Sequence, residues 1–322
     1  MKKKLLLLLC IMVVISIAGA IIIINSNPKT QNSVNQEKTK IQVVTSFYPM
    51  YIIGINLTVQ AKDIEVKNLT NYSTGCLHDY QLTTQDLKTL ATADVFIMNG
   101  GGMESFIEDV IKNYPQIKVI DASQGITMIN EEAAGKEPIY NPHVWLDPKL
   151  YMKQIENVRD GLLDYLNDSG SGLKDTAQTV ENNAKTYMDK VIKLDNEIED
   201  SLLKGLNSNG QAVTNEKVII FHEAFAYLAD RIGLTVAQAV ETGTDTALNA
   251  GEIADIIDMV QKDNIQYLFT ERQYGASIAE RIEAETGATV YVIDSGVTGD
   301  GTKDSYLDAM HYNLKVLQEA LQ

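Results

Sequence analysis

Cysteine, histidine, tryptophan and positive charge are all scarce in this chain of 322 residues, and each scarcity excludes something. The two cysteines are Cys10 and Cys76. Cys10 lies in an apolar N-terminal run, so the body of the chain holds one thiol and no intrachain disulfide; its stability must come from packing. The four histidines, His78, His143, His222 and His311, leave few arrangements for an imidazole site. Lys and Arg number 27 against 43 Asp and Glu, a net charge of −16. Residues 1–40 carry about +5, so the remainder carries about −21. Such an acidic body argues against nucleic acid as a partner, because phosphate recognition needs stripes of Lys and Arg. It is compatible with attracting cations. A helical His-Glu-x-x-His pair is absent as well, since His222-Glu223 continues into Ala224-Phe225-Ala226. That argues against a zinc hydrolase, which needs an open metal position beside a general base.

One long apolar run is present. Residues 5–24 follow Lys2, Lys3 and Lys4, and at about 1.5 Å per residue they span about 30 Å, one hydrocarbon thickness. Residues 1–24 are therefore expected to be a targeting or anchoring element outside the fold, with the lysines cytoplasmic and the rest of the chain outside. An uncleaved membrane anchor is favoured over a signal peptide cut near Ala18-Gly19-Ala20, because Ile21 to Ile24 prolong the run. A lipid anchor at Cys10 is the third alternative, disfavoured because Leu7-Leu8-Leu9 supplies no small residue before it. Residues 25–40 are polar and aperiodic, a flexible tether.

Beyond the tether, apolar strands alternate with helices, which implies an α/β fold with parallel sheets covered on both faces. Strands are expected at 42–47, 64–69, 94–98 and 117–120, and again at 217–221, 234–239, 266–270 and 288–293. Between the two sets, residues 173–206 read as one long amphipathic helix with a single apolar stripe: Val180, Ala184, Tyr187, Val191, Leu194, Ile198 and Leu202. The expected organisation is an N-terminal lobe (41–172), a rigid linking helix (173–206) and a C-terminal lobe (207–322), acting as a monomer. A short dimerising coiled coil is the weaker reading of the helix.

Chemistry concentrates in four side chains. Asn141-Pro142-His143-Val144-Trp145-Leu146-Asp147-Pro148 holds the sole Trp and two of six prolines. Its prolines restrict the backbone, and Asp147-Pro148 reads as a helix N-cap followed by the first helical residue. The turn thus reads as a rigid holder for the His143 imidazole. His78 lies in the long loop 71–86. His222 and Asp294 each follow an apolar strand, at the sheet edge where open α/β folds bind ligands. Two groups from each half meeting in a cleft between the lobes give three imidazoles and one carboxylate, a competent four-coordinate site for a divalent transition metal. Asp79, Glu271 and Cys76 are expected to support the site from outside the ligand set. Cys76 is also a weaker ligand candidate, since Cys-x-His can chelate zinc. His311, inside the last helix, reads as structural, Gly100-Gly101-Gly102 as a turn, and Glu223 as pointing away from His222.

These segments resemble the metal-binding class of solute-binding proteins that serve zinc and manganese ABC transporters. Ser46-Phe47-Tyr48-Pro49-Met50-Tyr51, His78 to Asp86, NPHVWLDP from Asn141, FHEAFAYLADRIGL from Phe221 and SYLDAMHYNL from Ser305 stand in the order typical of that class, over residues 40–321. The resemblance implies His78, His143, His222 and Asp294 as ligands. It also implies two lobes joined by a rigid helix, and Zn²⁺ or Mn²⁺ as cargo handed to a membrane permease. A metal-dependent surface adhesin is the further alternative. Two departures stand out: a Cys beside the first His, and no His-rich stretch in the short segment 130–140. His222 stands where manganese sites of the class tend to carry Glu, and a nitrogen-rich donor set favours zinc. With four protein ligands and no open position, the chain is expected not to be an enzyme.

Overall fold

Two four-stranded parallel sheets carry the fold, as the alternating pattern implies. The structure, a computed structural model, describes residues 40–131, 139–203, 215–240, 248–271 and 276–321. The expected anchor, the tether up to residue 39, Cys10 and most of the linker after the long helix lie outside the described residues. No described helix is long and apolar enough to cross a membrane.

The first sheet contains β1 (Ile41–Thr45), β2 (Ile64–Asn68), β3 (Val95–Met98) and β4 (Lys118–Asp121), in the order β2-β1-β3-β4. Its registers pair Val43 with Val66 on one side and with Val95 on the other. Around it stand α1 (Tyr48–Leu57), α2 (Thr84–Leu90) and α3 (Ile107–Asn113). Helix α2 opens with a capping box formed by Thr83 and Asp86, reciprocal bonds that satisfy two orphan backbone donors. A two-stranded antiparallel ribbon, β5 (Asn130–Glu131) with β6 (Ile139–Tyr140), was not legible in the sequence.

The second sheet contains β7 (Lys217–Ile220), β8 (Thr235–Ala239), β9 (Tyr267–Glu271) and β10 (Thr289–Ile293), in the order β10-β9-β7-β8. Helices α6 (Ala226–Arg231), α7 (Ala250–Asp263), α8 (Ala276–Thr286) and α9 (Ser305–Leu321) accompany it. In both sheets the chain first builds outward on one side of the founding strand, then crosses to the other. The switch points therefore fall between β1 and β3 and between β7 and β9, and the carboxyl ends of such strands form the ligand crevice of an open α/β sheet.

Two long antiparallel helices lie between these sets of strands in the chain. Helix α4 (Pro148–Asp168) starts as expected, with the Asp147 side chain accepting the Lys149 N–H at 2.8 Å. Helix α5 (Lys174–Ile198) buries Val180, Ala184, Tyr187, Val191, Leu194 and Ile198, the stripe read from its periodicity, and Leu202 is buried just beyond it. Its last turn, Glu199–Leu203, widens to π-helix. There the buried Arg231 guanidinium donates to Asp195 Oδ1 at 2.6 Å and lies 3.6 Å from Glu199. One continuous core includes Val43, Phe47 and Ile97 of the first half, Trp145, Tyr151 and Tyr187 of the middle, and Val218, Phe269 and Ile293 of the second sheet. Residues 40–322 thus form one compact unit.

Candidate metal centre

His143 is fully buried, in the turn that the sequence marks as rigid. Asn141 fixes it twice: its Oδ1 accepts the His143 backbone N–H at 3.0 Å and faces the ring Nδ1 at 2.9 Å. The amide oxygen accepts only, so Nδ1 carries the proton and Nε2 presents its lone pair. The turn is clamped from both halves of the chain. Asn99, after β3, donates to the Pro142 carbonyl at 2.9 Å, and Gln154 of α4 holds the Asn99 side chain at 2.8 Å. From the second half, Tyr227 of α6 donates to the Asn141 carbonyl at 2.6 Å. The Trp145 indole donates to the Ser295 carbonyl at 2.7 Å, and Tyr306 of α9 donates to the Trp145 carbonyl at 2.9 Å. Phe47 meets the Trp145 ring edge-on at 5.2 Å. Burial, with His222 and His78 adding, pushes the His143 pKa well below the ordinary histidine range, so this ring stays neutral.

The loop 71–83 brings two more donors. Leu77 is buried and its N–H meets Met103 Sδ at 3.4 Å, which anchors the loop between Cys76 and His78. His78 Nε2 lies 3.4 Å from His143 Nε2, and Cys76 Sγ also lies 3.4 Å from that nitrogen. Asp79, beside them, is exposed.

His222 and Glu271 end the two strands that flank the second switch point. His222 Nδ1 is in contact with Glu271 Oε1, while Ser295 Oγ donates to Glu271 Oε2 at 2.7 Å. A carboxylate behind a histidine fixes its tautomer and orientation, so Nε2 is the nitrogen this ring offers a metal. Burial draws the His222 pKa down, but the hydrogen bond and charge of Glu271, with Glu223 adding, outweigh it and hold the pKa above the usual value. Glu271 thus stands behind His222.

Glu223 departs from expectation. Its Oε1 lies 3.5 Å from His78 Nε2 and 3.7 Å from His143 Nδ1. The rule that adjacent helical side chains diverge does not apply, because His222 is extended at φ −170° and precedes the helix. Among the described residues, two trios place one ligand atom each within 4.8 Å of one another: Cys76, His143 and His222, and His78, His143 and Glu223. His143 belongs to both. Asp294 belongs to neither; its Oδ1 accepts the Gly296 N–H at 2.8 Å, and its backbone is held on both sides by Asn313. His311 pairs with Glu197 at 3.1 Å on the surface, in keeping with a structural role.

The spacing suits a metal. A tetrahedral ion with nitrogens at about 2.1 Å sets its ligand atoms about 3.4 Å apart, which is the separation of the His78 and His143 Nε2 atoms. That distance is long for a nitrogen-to-nitrogen hydrogen bond. Neutral imidazoles with their second nitrogens already committed are the donors that zinc, copper, iron and nickel accept.

Residues 43–320 match the family described as ZnuA, zinc-uptake complex component A periplasmic. The high-affinity zinc uptake system protein ZnuA of Bacillus subtilis (strain 168) is 24% identical over 323 residues, covering 95% of this chain and 96% of that protein. Zinc-binding lipoprotein AdcA of Streptococcus pneumoniae is 26% identical over 321 residues, 94% of this chain but 59% of AdcA, so this chain spans about three fifths of that relative. Among solved structures, FpvC of Pseudomonas aeruginosa in complex with Mn²⁺ superposes with a TM-score of 0.75 at 24% identity, over 88% of this chain and 99% of FpvC. A mutant laminin-binding adhesin, Lmb, of Streptococcus agalactiae gives 0.72 at 25% identity, over 88% of this chain and 100% of Lmb.

Proposed function

This chain belongs to the ZnuA family of zinc-uptake components, and from that premise we propose that it captures Zn²⁺ outside the cytoplasm and delivers it to an ABC permease. The observation that carries the reading is that the buried His143 has His78 against its Nε2, from a loop of the first half, and shares a trio of potential ligand atoms with His222, from a strand end of the second. The metal is cargo. His78, His143 and His222 hold it, and a fourth donor closes the sphere and leaves no position for a reacting substrate. Three residues compete for that place: Asp294, which the resemblance implies, Cys76, which already lies against His143, and Glu223, which shares a trio with His78 and His143. Nitrogen-rich ligation favours zinc over manganese, which prefers oxygen.

In this reading residues 41–172 and 207–322 act as the two lobes, and 173–206 link them. The N-terminal apolar segment tethers a monomeric receptor beside its permease. A long helix packed on the core of both lobes favours small loop adjustments on metal release over wide closure. The test is growth of a strain of the source organism that lacks this chain, in medium depleted of zinc by a chelator. Restoration by the wild-type chain and not by His143→Ala supports zinc capture. Equal restoration by both excludes it.

A further inference from the structure

Cys76 carries an inference that rests on the proposed zinc site and sharpens it. Its Sγ is 3.4 Å from His143 Nε2, and it forms with His143 and His222 one of the two trios of potential ligand atoms. A thiolate at about 2.3 Å and an imidazole nitrogen at about 2.1 Å from a tetrahedral ion stand about 3.6 Å apart, so the observed separation already approximates a shared metal. Asp294, by contrast, enters neither trio, and its Oδ1 accepts the Gly296 N–H of its own turn. We propose that Cys76 is the fourth zinc ligand of this chain, giving a site of three imidazole nitrogens and one thiolate sulfur.

The surroundings suit that assignment. Cys76 lies two residues from His78, and the intervening Leu77 is locked into the core. One loop therefore presents both donors, and they cannot drift apart without pulling Leu77 out of the protein. A thiol that coordinates a divalent cation does so as thiolate, so binding displaces its proton. The sulfur–metal bond forms as the S–H bond breaks, and the proton leaves to solvent with no change of oxidation state. The consequence is selectivity. Thiolate is a soft donor that suits zinc and is poorly matched to manganese, so Cys76 would bias the site toward zinc more strongly than an aspartate would.

X-ray absorption at the zinc edge, on the full-length protein loaded with one equivalent of Zn²⁺, reads the donor set. Sulfur at about 2.3 Å beside nitrogens at about 2.0–2.1 Å is expected. Substitution of Co²⁺ should add a sulfur-to-metal charge-transfer band in the near ultraviolet. Cys76→Ser is expected to abolish both signals and to weaken Zn²⁺ binding at least about tenfold, whereas Asp294→Asn keeps both signals. A zinc-loaded wild-type protein with only nitrogen and oxygen neighbours overturns the Cys76 assignment and leaves the zinc receptor standing. Signals that survive in Cys76→Ser overturn it equally. Failure of the wild-type protein to retain zinc at all overturns both.

Discussion

His143 and His222 are the same side chain in two opposite settings. His143 sits in a double-proline turn, fully buried, with a neutral amide behind it. His222 sits at a strand end with a carboxylate behind it. Burial holds the first neutral. For the second, burial acts in the same direction, but Glu271 and then Glu223 outweigh it and keep the proton on longer. The difference teaches how a site can be both preformed and releasable. The turn side is a fixed point that needs no deprotonation, and the strand-end side is where protons compete with the metal.

The largest expected effect lies on the turn side. Glu104 is buried and accepts the Asn99 and Gly100 N–H groups at 2.7 and 3.0 Å, directly beneath the Asn99 bond to the turn. Burial raises its pKa from 4.5 to about 7, although hydrogen bonds from Ser46, Asn99 and Gly100 oppose the shift. A carboxyl raised in the folded state makes folding most favourable while it is protonated. The wild-type protein should therefore lose stability relative to Glu104→Gln as pH rises from about 4.5 through about 7, by roughly 3 kcal/mol in total. Urea unfolding of both proteins across that range measures the gap, and a constant gap would show that the carboxyl does not titrate in that window.

Smaller but sharper is the contrast between the residues behind the two rings. Asn141→Ala and Glu271→Gln are each expected to weaken zinc binding by about 10- to 100-fold, the usual cost of removing a partner that orients a ligand. Their pH dependence should differ. Without the Glu271 charge, His222 protonates at lower pH, so the acid limb of zinc binding moves down. Asn141→Ala should leave that limb where it is, because burial already keeps His143 neutral. Competition titrations between pH 5 and pH 8 separate the two, and identical shifts in both variants would erase the distinction.

Much of this was legible in the sequence because local rules act strongly there. The apolar stripe of α5 is a periodicity, the Asp147 cap and Pro148 are local backbone chemistry, and most strands of both sheets are apolar runs between turns, with β2 an alternating one. His78, His143 and His222 stood out because imidazoles are few and each sits in a loop or at a strand end. Glu223 was missed because the rule that adjacent helical side chains diverge was applied to His222 and Glu223; the extended backbone of His222 takes the pair out of that rule. Cys76 reads as a weaker ligand candidate from its Cys-x-His spacing, but its direct approach to His143 was not legible. That contact joins residues 67 positions apart, and only the packing of Leu77 decides how the loop is seated. Asp294 reads as a ligand because it is a strand-end carboxylate, and in the structure its Oδ1 accepts the Gly296 N–H of its own turn.

The account stands or falls on metal binding at His143. The direct measurement is titration of the chelator-stripped full-length protein with Zn²⁺ and, separately, Mn²⁺, alongside His143→Ala. The account predicts one zinc per chain, bound much more tightly than manganese, with binding lost in the variant. Unchanged zinc binding by His143→Ala, or a preference for manganese in the wild type, would contradict it.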